Sequence, residues 1–299
     1  MTHAADPAIP RQRRTLRERL AESAVPLVAV SPAAFLLIVF FLVPMVVSIR
    51  YSLLSTMPFF DPNPYYTIQN YVHVLVTPVY LRSFLRTGEY ALVATTISLL
   101  LAYPVAYYLS RRSKRGSLIL LIMLIPFWTS VILRVFAWKI VLGNSGILNW
   151  ALIKIGIIHE PIKILYTGIA IVFGLVYTYT PFMILPLYGT LGKVPNELLE
   201  ASEDLGANKL QTLARITLPL TRSGTMSAII LVLLACFGDV LSANLLGGPN
   251  TLMISTVIFE TFLGGANWVT GSALSVLVFT VLLLMSAVLA RVGRETEYA

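Results

Sequence analysis

Apolar residues along this chain fall into long blocks separated by short polar stretches. Six blocks run for roughly 20 residues, the helix length that a bilayer core requires. They lie at about 27–49, 89–109, 117–141, 167–190, 224–246 and 269–290. Most lack the polar stripe that a helix of a soluble domain presents to water. The pattern predicts an all-α polytopic membrane protein with six transmembrane helices. Two further apolar runs, ILNWALIKIGII (147–158) and TLMISTVIFETFL (251–263), are too short to span. They suit short helices near the interface or tucked between spans. Segment 51–88 carries Pro58, Pro62, Pro64 and Pro78 with several aromatics, and reads as a folded outer loop rather than a helix bundle.

Composition agrees with the pattern. The chain has 299 residues, 57% of them hydrophobic, 12% charged, with a mean hydropathy of +0.80. A soluble domain carries about twice that charge. The net charge of +8 sits mostly at the ends of apolar blocks, so it reports topology rather than nucleic-acid binding. With the N-terminus inside, fifteen Lys and Arg fall on the cytoplasmic side and five outside. The inner set is Arg11, Arg13, Arg14, Arg17 and Arg19, then Arg111, Arg112, Lys114 and Arg115. It continues with Lys193, Lys209, Arg215 and Arg222, and ends at Arg291 and Arg294. Arg134 and Lys139 fall near the outer end of the third span and can snorkel. The division is therefore a basic cytoplasmic arm (1–26), a six-span domain (27–290) and a cytoplasmic tail (291–299). Within the domain lie an outer loop at 50–88 and a cytoplasmic loop at 191–222. Reading 251–263 as a seventh span would break this sorting. The first block is too long, and too far behind its basic arm, for a cleavable signal peptide. Cys236, the single cysteine, excludes an internal disulfide and reads as packing.

Polar residues inside the spans are the candidate chemistry. The fourth span contains YTYTPF, with Pro181 and Pro186 expected to kink or open the helix. Tyr177, Thr178 and Tyr179 then either line a translocation path or bond neighbouring helices. Asp239 in the fifth span is costly at membrane depth unless paired or wetted. It either faces a cationic substrate or forms an ion pair with Arg134 or Lys139. Ser242 and Asn244 extend this polarity outward. Glu260 and Trp268 are candidates for an outer vestibule, with a water-facing carboxylate and an interface anchor as the plain alternatives. His73 and His159 are isolated, and no cluster has metal-ligand spacing, so no metal is assigned. Neither a phosphate-binding glycine loop nor a nucleophile elbow is present. Active transport would draw on an ion gradient or on another polypeptide. A gradient-driven carrier is expected to show internal repeats and a midplane ion site, and neither is evident.

The polar insert 191–222 interrupts this apolar chain. Asn196 is placed as an N-cap, with Glu197 and Glu200 in the first helical turn. Leu198, Ala201 and Leu205 share one side, and Gly206 ends the helix in a left-handed conformation. A second helix is predicted from about 208 to 217, with Leu210, Leu213 and Ala214 on one side. Pro219 is expected to break the chain before the fifth span. Two short helices with an acidic edge (Glu200, Glu203, Asp204) make a compact knob.

The insert reads EASEDLG, nine residues, then ITLP. It resembles the EAA signature of permease subunits of ABC importers, E-A-A-x-x-x-G-x9-I-x-L-P. Glu200, Ala201, Gly206, Ile216, Leu218 and Pro219 match, and Ser202 replaces the usual second Ala. The resemblance implies the type I (MetI-like) ABC importer permease fold, with 191–222 as coupling helices docking into a cytoplasmic ATPase. Glu200 would be the docking carboxylate and Gly206 the turn. GNSGILNW (143–150), LLGGPNT (245–251) and FLGGANWVTGSALS (262–275) resemble the spermidine/putrescine-type permease group, its B-type subunit in particular. That group is similar to importers of opines, aminoethylphosphonate and amino-acid derivatives. The implied assembly has two ATPase subunits holding ATP and Mg, a second related permease in a heterodimer, and an extracytoplasmic solute-binding protein. Its place is the bacterial inner membrane, with both termini cytoplasmic. This chain would bind no cofactor and catalyse no bond cleavage.

Overall fold

The computed structural model describes residues 31–59 and 61–295, and these are α-helical apart from one isolated bridge between Leu54 and Tyr66. The basic arm, residues 27–30 of the first span and residues 296–299 lie outside the described residues. Thirteen helices are numbered here. The first is α1 (Ser31–Ser52), with a π turn at Ile38–Leu42. Then come α2 (Gln69–Val76), α3 (Pro78–Arg111), α4 (Gly116–Leu124), α5 (Val131–Leu142), α6 (Ile147–Lys154) and α7 (Gly168–Leu191). Next are α8 (Asn196–Asp204), α9 (Lys209–Leu220) and α10 (Arg222–Phe237). The last are α11 (Leu241–Leu246), α12 (Ile254–Leu263) and α13 (Trp268–Glu295). Five described segments are long and apolar enough to cross a membrane, and a sixth results if α9 and α10 are joined across their 73° bend.

The core is built by α3, α7 and α10, with α13 packed against α10. One face of α3 carries Ser83, Thr87, Ala91, Ala94, Ser98, Ala102 and Ala106, all buried. Steps of three and four residues put them on one helical stripe. Ile171, Leu175, Ile184 and Leu187 of α7 belong to the same core. Lipid tails are as apolar as leucine, so burial of carbon does little to drive this packing; close approach of small residues does. Interhelical hydroxyl bonds such as Thr180 to Ser98 (3.2 Å) add about 0.6 kcal/mol each, too little to hold the bundle without that fit. Gly224 marks one close approach of α10 to α7: a Cβ there would overlap the side chain of Thr190. The apolar side chains of α1 are largely exposed, as expected of a helix on the rim of the bundle.

Four expectations are corrected. The third span, 117–141, is not one helix. After α4 a 3-10 turn (Ile125–Trp128) leads to an extended Thr129 and a non-helical Ser130 before α5 begins. Pro126 lies in that turn, and Thr129 bonds its carbonyl at 2.6 Å, which favours the break. The fifth span, 224–246, is interrupted between α10 and α11 at 238–240. The outer loop ends at Thr77, not 88: Pro78 starts α3, whose 34 residues reach about 51 Å and pass beyond the bilayer core. The prolines and aromatics of 51–88 made this extension read as loop. Finally, α7 runs unbroken through Pro181 and Pro186. Hydroxyls such as Thr180, bonded to the Val176 carbonyl, help a membrane helix accommodate proline.

The two short outer helices form as expected, as α6 and α12. Buried Asn149 organises the first, donating to the carbonyls of Gly143 and Ile162 and accepting from Ile162 N–H. α12 is fixed to the bundle by its first residue: Ile254 N–H donates to Thr87 Oγ1 at 2.7 Å.

Candidate functional site

Two regions concentrate functional chemistry: the break in the fifth span and the two-helix knob within 191–222. At the break, Asp239 is 7% exposed. Its Oδ1 accepts from Ser242 N–H (2.7 Å), and its Oδ2 accepts from Ser242 Oγ–H (3.0 Å) and from Tyr179 Oη–H (3.1 Å). The carboxylate thus caps α11, replacing the backbone bond that a continuous helix would make at Ser242. Ser255 Oγ, from α12, donates to the Asp239 carbonyl at 2.8 Å. α10 spans 16 residues, so the break lies about 24 Å from its start at Arg222. Asp239 has no basic partner among the described residues. The ion pair with Arg134 or Lys139 is therefore not formed. Arg134 lies over the Phe127 ring (4.4 Å) and Lys139 over Phe136 and Tyr166 (5.7 Å each). A buried acid held only by neutral donors retains its attraction for a cation.

A row of rings leads to this acid. Phe173 and Tyr177 both meet Trp138, at 4.5 and 5.2 Å. Phe127 contacts Tyr177 (6.4 Å) and Phe182 (5.9 Å), and Phe182 contacts Tyr179 (6.4 Å). These are contact distances for aromatic pairs, and ring faces attract ammonium groups. Of the sequence-derived path residues, Tyr179, Asp239 and Ser242 form one hydrogen-bonded group, while Tyr177 belongs to the ring row. Thr178 is buried, and Asn244 is exposed, apart from the Asp239 group. Trp268 packs against Phe262 (5.6 Å), and Glu260 is exposed. Reading the sequence missed Ser255 and Thr87, which tie α12 to the break and to α3. The signal for Thr87 was the hydroxyl and small-residue stripe of 83–106.

The knob forms largely as expected. Gly206 has φ +81°, and α8 ends with Gly206 N–H donating to Glu203 O (2.9 Å) and Ala207 N–H to Ser202 O (3.0 Å). That pair is a Schellman motif, for which glycine is the favoured residue. Asn208 and Gln211 then form a capping box at the start of α9. Two details differ. Pro195, not Asn196, is the N-cap, because the Asn196 side chain accepts from Arg111 Nη1 instead (2.8 Å). Pro219 does not end the second helix: a π turn (Leu213–Thr217) carries α9 past it to Leu220, and the chain bends at Thr221. Pro219 lies in the first turn after the π segment. Glu200 and Ala201 are exposed, and Ser202 is buried against Thr212. A groove of about 430 Å3 opens between the helices, lined by Leu198, Ala201, Leu205, Arg215 and Ile216 among others. Leu205 is 89% exposed and Leu210 76%, and Leu198, Leu218 and Leu220 are exposed too, apolar surface of the kind that marks a partner site.

An all-helical bundle with a polar two-helix knob and a separate short outer helix defines a permease of binding-protein-dependent import. Residues 94–295 match the family described as binding-protein-dependent transport system inner membrane component, and the chain belongs to it. It is 42% identical over 245 residues to the spermidine/putrescine transport system permease protein PotB of Haemophilus influenzae, covering 80% of this chain and 84% of that one. It is 40% identical over 230 residues to PotB of Escherichia coli K12, covering 77% and 83%. The trehalose/maltose transport system permease protein MalF of Thermococcus litoralis is 29% identical over 289 residues (94% and 97%). In fold, it matches a bacterial ABC transporter importing alginate with a TM-score of 0.69, at 19% identity and coverage of 94% and 98%. The MetNI methionine ABC transporter matches with a TM-score of 0.54, at 18% identity and coverage of 72% and 95%. The chain is a multi-pass inner-membrane subunit of an ABC importer. It is not itself catalytic: ATP hydrolysis resides in separate subunits, and it works with them, a permease partner and a solute-binding protein.

Proposed function

We propose that this permease imports a small organic cation of the polyamine type, along a path that passes Tyr177, Tyr179 and Asp239. The observation that carries this reading is the buried Asp239 carboxylate with hydroxyl and amide donors only. A cationic cargo supplies the charge that the protein withholds, and the adjoining rings offer faces to its ammonium and methylene groups. The relatives named as spermidine/putrescine permeases support the same class. Arg134 already covers one face of Phe127, so the ring surface left to cargo is that of Tyr177, Trp138 and Phe182.

In this reading the knob, with Glu200, Ala201, Ser202, Gly206, Ile216, Leu218 and Pro219, docks one of two ATPase subunits. Both termini and residues 191–222 face the cytoplasm, which the sorting of basic residues supports. Glu260 and Trp268 border the outer mouth, where the binding protein delivers solute. The partner permease is a related chain, giving a pseudo-twofold heterodimer. ATP acts only by favouring one access state over the other.

The test is uptake by the assembled complex with its binding protein, against spermidine, putrescine, an opine, aminoethylphosphonate and a disaccharide. Saturable uptake of spermidine or putrescine, competed by the other, is expected. Uptake restricted to the zwitterionic or neutral solutes would reject the cation path.

A further inference from the structure

We propose that Arg111 is a positioning residue that transmits movement of the knob into α3, and through α3 to the outer side of the bundle. The inference rests on reading α8 and α9 as the ATPase-docking element. Arg111 is the last residue of α3. Its Nη1 donates to Asn196 Oδ1 at 2.8 Å, and its Nη2 donates to the carbonyl of Val194. These two acceptors flank Pro195, the residue that opens α8. The planar guanidinium fork therefore grips the strap leading into the knob on both sides of its stiffest residue, a geometry that a lysine cannot reproduce. Its Nε is buried without a hydrogen-bond partner. The Val194 side of this grip is partly buried, and the Asn196 side is exposed.

α3 is joined to the other end of the knob as well. Tyr103 Oη lies 3.3 Å from Thr221 Oγ1, at the 73° bend where α9 meets α10. At its outer end α3 accepts the first amide of α12 through Thr87, and α12 in turn bonds the Asp239 carbonyl through Ser255. Residues 87 and 111 are about 36 Å apart along one unbroken helix. Rigid elements with hydrogen-bonded ends are what carry energetic coupling between distant sites. α3 thus connects the docking knob to the break that holds Asp239. Within this connection Arg111 is the contact with the strap on which α8 is suspended.

The experiment uses the complete complex in nanodiscs, in a Cys236→Ala background. Nitroxides are placed at Leu100→Cys on α3 and Leu284→Cys on α13, positions that are 69% and 63% exposed. Pulsed electron resonance reads the distance between them with and without a non-hydrolysable ATP analogue. The parent is expected to shift its distance on nucleotide binding. Arg111→Ala is expected to keep its ATPase subunits and hydrolyse ATP, yet lose more than half of the shift; Arg111→Lys and Asn196→Ala should lose less. A full shift in Arg111→Ala, or a parent insensitive to nucleotide, overturns the proposal. Loss of the ATPase from Arg111→Ala overturns it too, by making Arg111 part of the docking surface. If Arg111→Ala does not assemble, a full shift in both milder variants overturns it. Glu200→Lys separates the two readings. If it retains ATPase and transport, the docking assignment fails, whatever Arg111 does.

Discussion

The hydroxyls of Ser202 and Thr212 lie 2.8 Å apart, both side chains buried, and join the two helices of the knob. Ser202 Oγ also bonds the Leu199 carbonyl at 2.7 Å. The serine that departs from the signature is therefore a fastener, and Thr212 is its counterpart.

Removing one partner should cost more than removing both. Thr212→Val leaves Ser202 with its local bond only, and Ser202→Ala leaves Thr212 Oγ1 buried without a partner. Each single change should destabilise by about 1–3 kcal/mol, and the double variant by less than their sum. Melting of the detergent-purified complex in a double-mutant cycle checks this. Strictly additive losses would show that the contact contributes nothing.

Gly206 is required for its backbone rather than for space. Its φ is +81°, and a Cβ there would meet no atom within 4 Å. Gly206→Ala should lower stability by about 1 kcal/mol, with Gly206→Asn closer to the parent, because Asn tolerates the left-handed region. Equal melting temperatures for the Ala and Asn variants would contradict a backbone cause.

Glu200 is exposed in the middle of α8, on the acidic edge of the knob. Glu200→Lys should leave the permease folded and reduce ATPase co-purification at least tenfold, equivalent to about 1.4 kcal/mol of binding. The measure is the ratio of ATPase to permease eluting from an affinity column. An unchanged ratio would remove Glu200 from the docking surface.

Much of this architecture was legible in the chain because the bilayer imposes length and polarity so strictly. Apolar blocks placed the bundle, and local capping signals placed the knob and its glycine. What escaped was tertiary. Thr129 and Ser130 interrupt the third block with no polarity signal. Asp239 marked a costly site, but its partner across the helices is Tyr179, 60 residues away, while the basic Arg134 and Lys139 fit its charge better on sequence alone. Arg111 read as one more cytoplasmic charge, because its acceptors lie 83 and 85 residues on. Hydrogen bonds between distant segments leave no period in a sequence, and those are the contacts that define the candidate path and its link to the knob.

The cation path stands or falls with Asp239. The most direct measurement is the initial rate of radiolabelled spermidine uptake into proteoliposomes, per assembled complex, for the parent and for Asp239→Asn. The amide keeps the shape and removes the charge; with its oxygen toward Tyr179 and Ser242 Oγ it gives up the acceptor for the Ser242 N–H. Uptake should fall at least tenfold, about 1.4 kcal/mol, while the amount of complex and its ATP hydrolysis are retained. Unchanged uptake with unchanged preference between spermidine and putrescine would contradict a direct role for this carboxylate in carrying the cargo.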